Sequence, residues 1–368
     1  ADGQTAYVAD YTSGLQIIDV STGSSPVLLG TYDTYKAVDV TLSTDGQTAY
    51  VADNAAGLKI IDVSTGSNPT LLGSYSTSGF ANGVTLSTDG QTAYIAASYS
   101  GLQIIDVSTG SSPTLLGTYD TSGQAYDVTL SADGQTAYVA DYGQSGLQII
   151  DISTGSSPVL LGSYYDNKAK GVALSADGQT AYVAGVSLFG VDVSDGSSPT
   201  NHGGPYLTLG TGNVTLSADG QRAYVPGDSG LLILDITTNS YPTLLGRYDT
   251  SGTVYGVTLS ADGQTVYVTD GSSGLQIIRL SDPASIVENA AISTVVYNAE
   301  ATDNGGEADA GISYSLSGSD ASAFDIVAET GVVTLKASAD YETKSSYSID
   351  VIATDETGNT ATQAVTVT

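Results

Sequence analysis

The hydrophobic residues of this chain fall in short segments separated by clusters of Gly, Pro, Ser and Asp. Four such segments recur in a fixed order along residues 1–280. We call them strand A (Val-Thr-Leu-Ser), strand B (Thr-Ala-Tyr-Val), strand C (Leu-x-Ile-Ile) and strand D (Pro-x-Leu-Leu-Gly). Each segment is rich in β-branched, aromatic or aliphatic residues and is bounded by turn formers, which predicts a β-strand. No long apolar stripe with the 3.6-residue period occurs, so we expect almost no helix.

An Asp-Gly-Gln sequence precedes every B strand and marks the period of the repeat. Successive copies are separated by 43, 44, 44, 44, 42 and 43 residues and begin at Asp2, Asp45, Asp89, Asp133, Asp177, Asp219 and Asp262. Four strands in about 40–45 residues are typical of a propeller blade. Asp-Gly forms a tight hairpin turn because Gly accepts a positive φ. The pattern predicts a seven-bladed β-propeller of four-stranded antiparallel blades over residues 1–280.

The strand count predicts that the ring is completed by strands not seen in this sequence. Strands B and C occur seven times, whereas A and D occur six times. The chain opens just before a B strand and leaves the repeats after a C strand, so the first A and the last D are missing. We expect a segment of about 20 residues upstream of Ala1 to supply both, which would leave no open edge. The alternative is donation of the strands by another subunit.

The repeated phrases resemble a known repeat family. Gly-Leu-Gln-Ile-Ile-Asp-Val-Ser and Pro-Thr-Leu-Leu-Gly-Thr-Tyr-Asp-Thr look like the LVIVD repeat, a β-propeller repeat of prokaryotic surface and secreted proteins. The resemblance covers about residues 1–280 in period, phrases and order. The fifth copy departs from it, because residues 185–204 lack several C-strand residues and the Leu-Leu-Gly. The resemblance implies a fold and a location, whereas a propeller hosts many activities.

The composition and the sequence motifs of the chain change after Leu280. All six Glu residues of the chain lie beyond this point. The phrases there resemble those of a cadherin-like domain: Ile286-Val287-Glu288-Asn289-Ala290, Ala301-Thr302-Asp303, Phe324-Asp325-Ile326, Asp340-Tyr341-Glu342 and Ala353-Thr354-Asp355. We therefore predict a linker at 281–283 and a cadherin/immunoglobulin-like β-sandwich at 284–368. The alternation of apolar and polar residues from Tyr347 to Val351 independently favours a half-buried strand.

The cadherin resemblance implies calcium as a cofactor. Glu288, Asp340 and Glu342 match family ligands that would face a downstream domain. Asp303 and Asp355 match those at the opposite end, and Asp282 occupies a linker position that could reach them. Calcium takes six to eight oxygen ligands, which suits carboxylates from several loops. Two departures exist: Gly305 replaces the second Asp of one ligand pair, and the characteristic Asp-x-Asn-Asp-Asn linker is absent.

Composition and charge favour an extracellular or cell-surface location. The chain has 39 acidic and 9 basic residues, a formal net charge of −30 and no Cys. Such a charge repels nucleic acid and anionic membranes and attracts divalent cations. No apolar run approaches the length needed to span a bilayer. We expect no nucleic-acid partner, no membrane insertion and no disulfide.

The sequence offers no convincing set of catalytic residues. The B strands resemble those of lactonase-type propellers, whose sites use Glu, His and Arg in the axial channel. Here the predicted propeller has no Glu and a single His, His202, in the aberrant fifth copy. The recurring Asp19, Asp62, Asp106, Asp151 and Asp235 are identical between repeats, which predicts turn capping. We therefore predict that the protein is not an enzyme.

Comparison of the repeats predicts a ligand face. The A–B and C–D turns are near copies, whereas the B–C and D–A loops on the other face vary. The variable loops carry tyrosines, whose flat ring and hydroxyl suit carbohydrate or protein contact; the candidates are Tyr11, Tyr99, Tyr126, Tyr142 and Tyr255. Unconstrained drift of these loops is the alternative. We predict an adhesion propeller that binds carbohydrate or protein on a cell or matrix surface, joined to a calcium-binding spacer and further domains. The alternative function is a structural subunit of a surface filament or layer assembled through shared β-strands.

Overall fold

The computed structural model of the protein describes most of the chain as β-structure. It describes residues 3–22, 25–143, 146–165, 168–202, 206–207, 212–227, 230–237, 242–250, 252–280, 295–298, 312–337, 344, 346–354 and 360–367. The chain divides into two compact units, Ala1–Ile278 and Arg279–Thr368. Apart from two short 3₁₀ turns, Gly271–Ser273 and Ala321–Ala323, all regular elements of the described residues are strands. The predicted all-β class is confirmed.

The first unit is built from seven antiparallel sheets, one for each repeat. Blade 1 contains β1 (Thr5–Ala9), β2 (Leu15–Asp19) and β3 (Val27–Tyr32). Blade 2 contains β4 (Asp39–Leu42), β5 (Thr48–Ala52), β6 (Leu58–Asp62) and β7 (Thr70–Tyr75). Blade 3 contains β8 (Gly83–Leu86), β9 (Thr92–Ala96), β10 (Leu102–Asp106) and β11 (Thr114–Tyr119). Blade 4 contains β12 (Gln124–Leu130), β13 (Thr136–Tyr142), β14 (Gly146–Asp151) and β15 (Val159–Tyr164).

The remaining blades follow the same plan with one irregularity. Blade 5 contains β16 (Gly171–Leu174), β17 (Thr180–Ala184), β18 (Ser187–Asp192), β19 (Thr200–Asn201) and β20 (Tyr206–Leu207). Blade 6 contains β21 (Thr215–Leu216), β22 (Arg222–Gly227), β23 (Gly230–Asp235) and β24 (Thr243–Asp249). Blade 7 contains β25 (Val254–Leu259), β26 (Thr265–Asp270) and β27 (Gly274–Arg279). In blade 5 the short strands β19 and β20 pair with the two ends of β18, where the other blades have one D strand.

Strand order within each sheet follows the sequence order A-B-C-D. The A strands of neighbouring blades contact one another, as β4 does with β8 and β12 with β16, so they form the inside of the ring. The D strands lie on the outside, and Leu28, Leu71 and Leu115 on them are exposed. Blade 1 has no A strand and blade 7 no D strand among the described residues. What completes these two blades stays a prediction.

The core of the propeller lies between neighbouring sheets. Leu15 and Ile17 of blade 1 pack with Val51 and Ile61 of blade 2, and equivalent clusters join blades 2 and 3, 3 and 4, 4 and 5, and 5 and 6. An inner sheet therefore buries both of its faces, which explains why the B and C strands carry consecutive apolar residues instead of a strict alternation. Burial of this kind is the main stabilising contribution to such a fold.

A β-bulge occurs where strand C pairs with strand D. In blade 1 Ile17 pairs with Gly30 and Ile18 pairs with Leu28, so Leu29 has no partner of its own. The same register shift recurs in blades 2, 3, 4 and 6. A bulge locally increases twist and reorients a side chain. The second Leu of the Leu-Leu-Gly phrase is thus the bulged residue.

The second unit contains two three-stranded antiparallel sheets among its described residues. Its strands are β28 (Val295–Asn298), β29 (Ser313–Ser317), β30 (Phe324–Ile326), β31 (Val332–Leu335), β32 (Tyr347–Thr354) and β33 (Thr360–Val367). The sheets have the orders β28-β31-β30 and β29-β32-β33. Phe324 and Val333 of one sheet share a core with Ile349 and Val365 of the other. This two-sheet arrangement is the predicted β-sandwich, and the predicted alternation along β32 is observed, with Ile349 and Val351 buried.

Candidate ligand-binding face

The B–C turns and D–A loops lie on one face of the propeller, which we call the variable face. Its backbone is tied together between blades. The carbonyl oxygen of Tyr11 in blade 1 accepts a hydrogen bond of 3.0 Å from the N–H of Ala37 in blade 2. Asn54 and Ser98 accept in the same way from Ala81 and Ala125 of the following blades. These links make the face a fixed frame for the side chains it carries.

The turns whose carbonyl oxygens accept these hydrogen bonds have an unusual backbone conformation. Tyr11, Asn54 and Ser98 have φ values of 35°, 43° and 49°, in the left-handed region that residues with a Cβ rarely adopt. They occupy equivalent positions in blades 1, 2 and 3. Such a conformation persists only where the surrounding contacts hold it. The inter-blade hydrogen bond supplies that contact. The backbone conformation of the turn is therefore fixed by the fold, whereas its side chain differs between the repeats.

A buried carboxylate fixes the D–A loop of blade 2. Asp53, at the end of strand B, accepts hydrogen bonds from the backbone N–H of Tyr35 at 3.1 Å and of Lys36 at 2.5 Å. Asp270 has the same role in blade 7, where it accepts from Gly252 at 3.2 Å. Our sequence reasoning missed these residues. The available signal was the Asp that ends several B strands, at Asp10, Asp53, Asp141 and Asp270.

The five predicted tyrosines all belong to described parts of the variable face. Tyr11, Tyr99 and Tyr255 have 48%, 72% and 60% of their surface exposed, which makes their rings accessible to a ligand. Tyr126 and Tyr142 are half-buried and form an edge-to-face pair with ring centroids 5.9 Å apart. Burial is the main cause that raises the pKa of Tyr126, and the nearby Tyr142 and Tyr99 add to it.

The structure brings some of these tyrosines together and leaves others apart. Tyr99 accepts a hydrogen bond of 2.8 Å from the Gln124 side-chain amide, which connects it to the blade that carries Tyr126 and Tyr142. These three tyrosines therefore lie near one another across blades 3 and 4, with Tyr126 and Tyr142 in ring contact, and we call them the aromatic cluster. Tyr11 belongs to a separate group at the junction of blades 1 and 2. Among the described side chains, Tyr255 of blade 7 makes no ring contact with the other four.

Two lysines lie over the tyrosine rings of this face. The Lys36 Nζ atom is 4.8 Å from the ring centroid of Tyr11 and 5.6 Å from that of Tyr35. The Lys170 Nζ atom is 5.5 Å from Tyr126 and 5.6 Å from Tyr142. These distances are within the range of cation–π attraction. A hydrogen bond with Tyr11 is the main cause that raises the pKa of Lys36. The sequence analysis did not identify these two lysines as site residues.

Two carboxylates lie on inner strands beneath this face. Asp39 accepts a hydrogen bond of 2.8 Å from Val84 N–H of the next blade, and Asp127 accepts one of 3.0 Å from Val172. Burial raises the pKa of both, and that of Asp127 reaches about 7 with a contribution from the charge of Asp39. Each carboxylate thus connects two inner strands.

Glycine alternates with aspartate at the equivalent inner-strand position, in the order Asp39, Gly83, Asp127 and Gly171. A Cβ on Gly83 would lie 2.8 Å from the carbonyl oxygen of Tyr126 and 3.1 Å from the Cα of Asp127. A side chain at Gly83 is therefore excluded next to Asp127. A Cβ on Gly171 would likewise lie 2.6 Å from the Cα of Asn213.

The recurring aspartates of the opposite face cap turns, as predicted. The Asp19 carboxylate accepts a hydrogen bond of 2.9 Å from Ser21 N–H, and Asp62, Asp106, Asp151 and Asp235 repeat this contact. Hydrogen bonds from the Ser21 hydroxyl and N–H lower the pKa of Asp19. His202 donates its backbone N–H to Gly190 and has its Nε2 atom 3.9 Å from Asp192.

The predicted calcium ligands fall outside the described part of the chain. This applies to all six, Asp282, Glu288, Asp303, Asp340, Glu342 and Asp355, and to the departure at Gly305. The described residues hold no group of three or more potential metal ligands. The calcium site therefore stays a prediction. The same residues include no helix that is long and apolar enough to cross a membrane.

Comparisons with known families identify both units. The LVIVD repeat matches seven consecutive segments: 1–34, 36–77, 78–121, 122–166, 167–206, 213–250 and 255–294. A cadherin domain matches residues 282–368. A comparison with curated proteins found no match.

Solved structures share the propeller fold at low sequence identity. The periplasmic gluconolactonase of Pseudomonas aeruginosa is 16% identical with a TM-score of 0.66, over 75% of this chain and 91% of that chain. A putative 6-phosphogluconolactonase of Bacteroides fragilis is 15% identical with a TM-score of 0.65, over 75% and 90%. A Lactobacillus plantarum protein is 18% identical with a TM-score of 0.64, over 74% and 94%. Likeness at this level shows the fold alone.

Proposed function

The chain belongs to the LVIVD repeat family, and on that basis we propose that it is a non-enzymatic adhesion protein of the cell surface or extracellular space. The propeller is the binding module, and its ligand is a carbohydrate or a protein on a cell or matrix surface. The cadherin domain is a calcium-binding spacer that joins the propeller to neighbouring domains.

The aromatic cluster of Tyr99, Tyr126 and Tyr142 carries this proposal. It presents flat rings and hydroxyl groups on a backbone held by inter-blade hydrogen bonds. Aromatic residues on rigid frames are typical of recognition surfaces, because little conformational entropy is lost when they bind. The repeats hold the turns of the opposite face nearly constant, whereas these loops vary. Loops on a rigid scaffold commonly carry function.

The test is surface binding by the full chain. Wild type and a Tyr126→Ala/Tyr142→Ala variant are compared for retention on cells or on immobilised matrix. We expect the double variant to lose most binding, on the order of tenfold or more. Tyr248→Ala is the matched control, because Tyr248 is an exposed tyrosine on the outer strand β24. Equal retention of all three proteins would show that the aromatic cluster of the variable face does not bind the surface ligand.

The calcium-dependent spacer rests on the cadherin match. The family's calcium chemistry requires carboxylates from several loops, and the six predicted ligands fit that chemistry in residue type. An acidic chain of net charge −30 without Cys suits a surface location in contact with millimolar calcium. A thermal transition that falls on chelation and recovers with Ca²⁺ tests this part.

The absence of enzymatic activity is part of the proposal. The structural neighbours include proteins named as lactonases, so lactone hydrolysis is the activity to examine. In the propeller the aspartates that recur are held in turns, and His202 lies beside Asp192 at the aberrant fifth blade. We expect no turnover of gluconolactone above the spontaneous rate. Turnover that disappears in His202→Ala would establish an enzyme.

A second candidate function is a structural subunit that assembles through shared strands. A cleft of about 660 Å³ adjoins β1 and is lined by β4, β25 and β26. No strand pairs with the free edge of β1 among the described residues, and β1 is only half-buried where the equivalent β5 is largely buried. In blade 2 an Asp-Val-Thr-Leu segment pairs with the equivalent strand, with Val40 opposite Val51, and this pairing supports the proposal.

The two candidates predict different oligomeric behaviour. Strand sharing requires that the purified chain assemble at low concentration and that a synthetic peptide with the A-strand phrase block the assembly. A chain that stays monomeric across concentrations favours the adhesion module.

A further inference from the structure

The basic side chains of the protein differ in what surrounds them. Several pair with a carboxylate: Arg247 with Asp249, Lys336 with Asp325 at 3.3 Å, and Lys344 with Asp320 at 2.5 Å. Lys36 and Lys170 are different. Within the described part of the chain no carboxylate oxygen lies within 4.0 Å of either ammonium group, although acidic residues outnumber basic ones 39 to 9. Both ammonium groups are held by tyrosine rings instead.

The two lysine–tyrosine groups have the same composition but arise from different repeat positions. Ala37 and Ala169 are equivalent buried residues of the D–A loops. Lys36 precedes its alanine, whereas Lys170 follows its alanine. Duplication copies residues at equivalent positions, so duplication alone does not explain the second group. An ammonium between two tyrosine rings has therefore arisen twice on the variable face.

The contacts of these lysines leave their charge available to a ligand. A ring contact attracts the ammonium through the π-face, and the hydrogen bond with Tyr11 uses only one of the three N–H donors of Lys36, so donors remain for a carboxylate. The rings that hold Lys36 are strongly exposed, with Tyr11 at 48% and Tyr35 at 58%. The Lys36 group thus offers one cation and an exposed flat apolar surface beside it, and the Lys170 group offers one cation beside two half-buried rings. A pyranose ring with one carboxylate matches this pair of features, because its C–H face covers a tyrosine while its carboxylate meets the ammonium.

We propose that the two groups, Tyr11-Tyr35-Lys36 and Tyr126-Tyr142-Lys170, bind the carboxylates of an acidic polysaccharide made of uronic acid residues. This inference rests on the proposed binding function and specifies its ligand class. A polymer with one carboxylate on each ring can engage both groups at once, which raises its avidity over that of a monomer. An acidic peptide carries carboxylates too, but it has no ring to cover the tyrosines.

The experiment measures binding of the full chain to polygalacturonate and to the same polymer after methyl esterification, which removes the charge and keeps the ring. Chelator is present throughout, so that calcium cannot bridge the polymer to aspartates of the protein. We expect binding to the acid form only. Lys36→Gln and Lys170→Gln should each weaken it by about tenfold, the worth of one charge-assisted hydrogen bond. Raised salt should weaken it further, because the contacts are at the surface.

Lys59→Gln is the matched control. Lys59 lies on β6 and has no recorded contact with a ring among the described residues. Lys59→Gln changes the net charge by the same amount as Lys36→Gln and Lys170→Gln, so an effect of overall charge on binding would appear in all three variants. Equal affinities of Lys59→Gln and wild type are expected. All three lysines are outside the buried core, and a thermal melt verifies that each variant is folded.

Several outcomes would overturn the inference. Equal binding to the esterified polymer excludes carboxylate recognition, and unchanged affinity of both lysine variants excludes the two groups. Lysine-dependent binding of polyglutamate with the same affinity as polygalacturonate would assign an acidic protein instead of a glycan. Failure to bind polygalacturonate, with surface retention still lost in Tyr126→Ala/Tyr142→Ala, overturns the ligand class and leaves the adhesion function intact. Failure of the retention experiment as well overturns both.

Discussion

Gly117 in blade 3 lies so close to the backbone of Gly155 in blade 4 that there is no room for a side chain on Gly117. A Cβ on Gly117 would lie 2.2 Å from the carbonyl oxygen of Gly155. The same approach recurs between Gly30 and Gly66 at 2.3 Å, Gly73 and Gly110 at 2.2 Å, and Gly162 and Gly196 at 2.3 Å. The glycine of the Leu-Leu-Gly phrase therefore abuts the C–D turn of the next blade. This contact explains why the Leu-Leu-Gly phrase ends in Gly.

Substitution of Gly117 should destabilise the propeller. Gly117→Ala places a methyl group inside contact distance of backbone that cannot move without shifting a blade, and such overpacking costs about 1–3 kcal/mol. We expect a lower midpoint of the propeller transition in a thermal melt. Gly246→Ala is the control, because a Cβ on this equivalent glycine of blade 6 meets no described atom within 4 Å. Equal midpoints for the two variants would show that the blades can separate to accommodate the methyl group.

The propeller could be predicted from the sequence because each repeat contains its own turn-forming residues and strand-forming segments. The Asp-Gly turn before each B strand is observed, with Gly46 at a φ of 71° and the Asp45 carboxylate accepting from the Ser43 hydroxyl. Turn chemistry and strand composition act within a few residues, so they are readable from sequence. Contacts between repeats were not readable in this way. The bulge at Leu29 and the Gly117–Gly155 approach depend on how two blades pack.

The candidate site was predicted in part for the same reason. Loop variability located the tyrosines of the variable face, since variation between repeats is visible in one sequence. It could not show that Lys170 would lie between Tyr126 and Tyr142, because these three residues come from two blades. Asp53 was missed because a repeated Asp at a strand end resembles a turn cap, whereas its carboxylate is fully buried under a loop from the same blade.

The stability of the propeller should fall as the pH rises through about 7. Burial raises the pKa of Asp127 from 3.8 to about 7, so the folded state holds a proton that the unfolded state releases. The resulting stabilisation is present in full below pH 3.8 and is lost as the pH rises through about 7. Asp127→Asn should flatten this part of the profile, by at most about 4 kcal/mol in the free energy of unfolding. Denaturant unfolding at a series of pH values measures it.

A turn aspartate provides the control for that profile. Hydrogen bonds from the Ser131 hydroxyl and the Gln135 N–H lower the pKa of Asp133. Its contribution to stability therefore changes with pH in the opposite direction to that of Asp127. The contribution of Asp133 is present above its unfolded pKa and is lost only as the pH falls through its folded value. Asp133→Asn should therefore leave the slope between pH 5 and pH 8 unchanged. An identical slope for wild type and Asp127→Asn in that window would contradict the assignment to Asp127.

Calcium should stabilise the cadherin domain and leave the propeller unaffected. A ligand that binds only the folded state raises stability by mass action. We expect one of two thermal transitions to fall on addition of chelator and to recover with Ca²⁺ but not with Mg²⁺, because magnesium requires smaller octahedral sites. Glu288→Gln should reduce this calcium response, if Glu288 is the calcium ligand that the cadherin resemblance of its sequence implies.

The control for the calcium response is a carboxylate of the same domain outside the predicted ligand set. Asp325 is exposed and its carboxylate is 3.3 Å from Lys336 Nζ. Asp325→Asn should keep the full calcium response, because an exposed ion pair contributes little. If neither transition of the wild type moves on chelation, calcium has no part in the stability of this chain.

Asp53 should control the mobility of the loop that carries Lys36. Its buried carboxylate accepts the backbone N–H groups of Tyr35 and Lys36, so Asp53→Ala leaves both donors unsatisfied, at a cost of about 1–3 kcal/mol each. We expect faster hydrogen exchange at these two amides by nuclear magnetic resonance, since local opening then costs less. The amide of Val128 in blade 4 is the internal control, because it donates to Asp127 and not to Asp53. Faster exchange at Val128 as well would indicate global loss of stability. Unchanged exchange at Tyr35 and Lys36 would show that the inter-blade bond of Ala37 alone holds the loop.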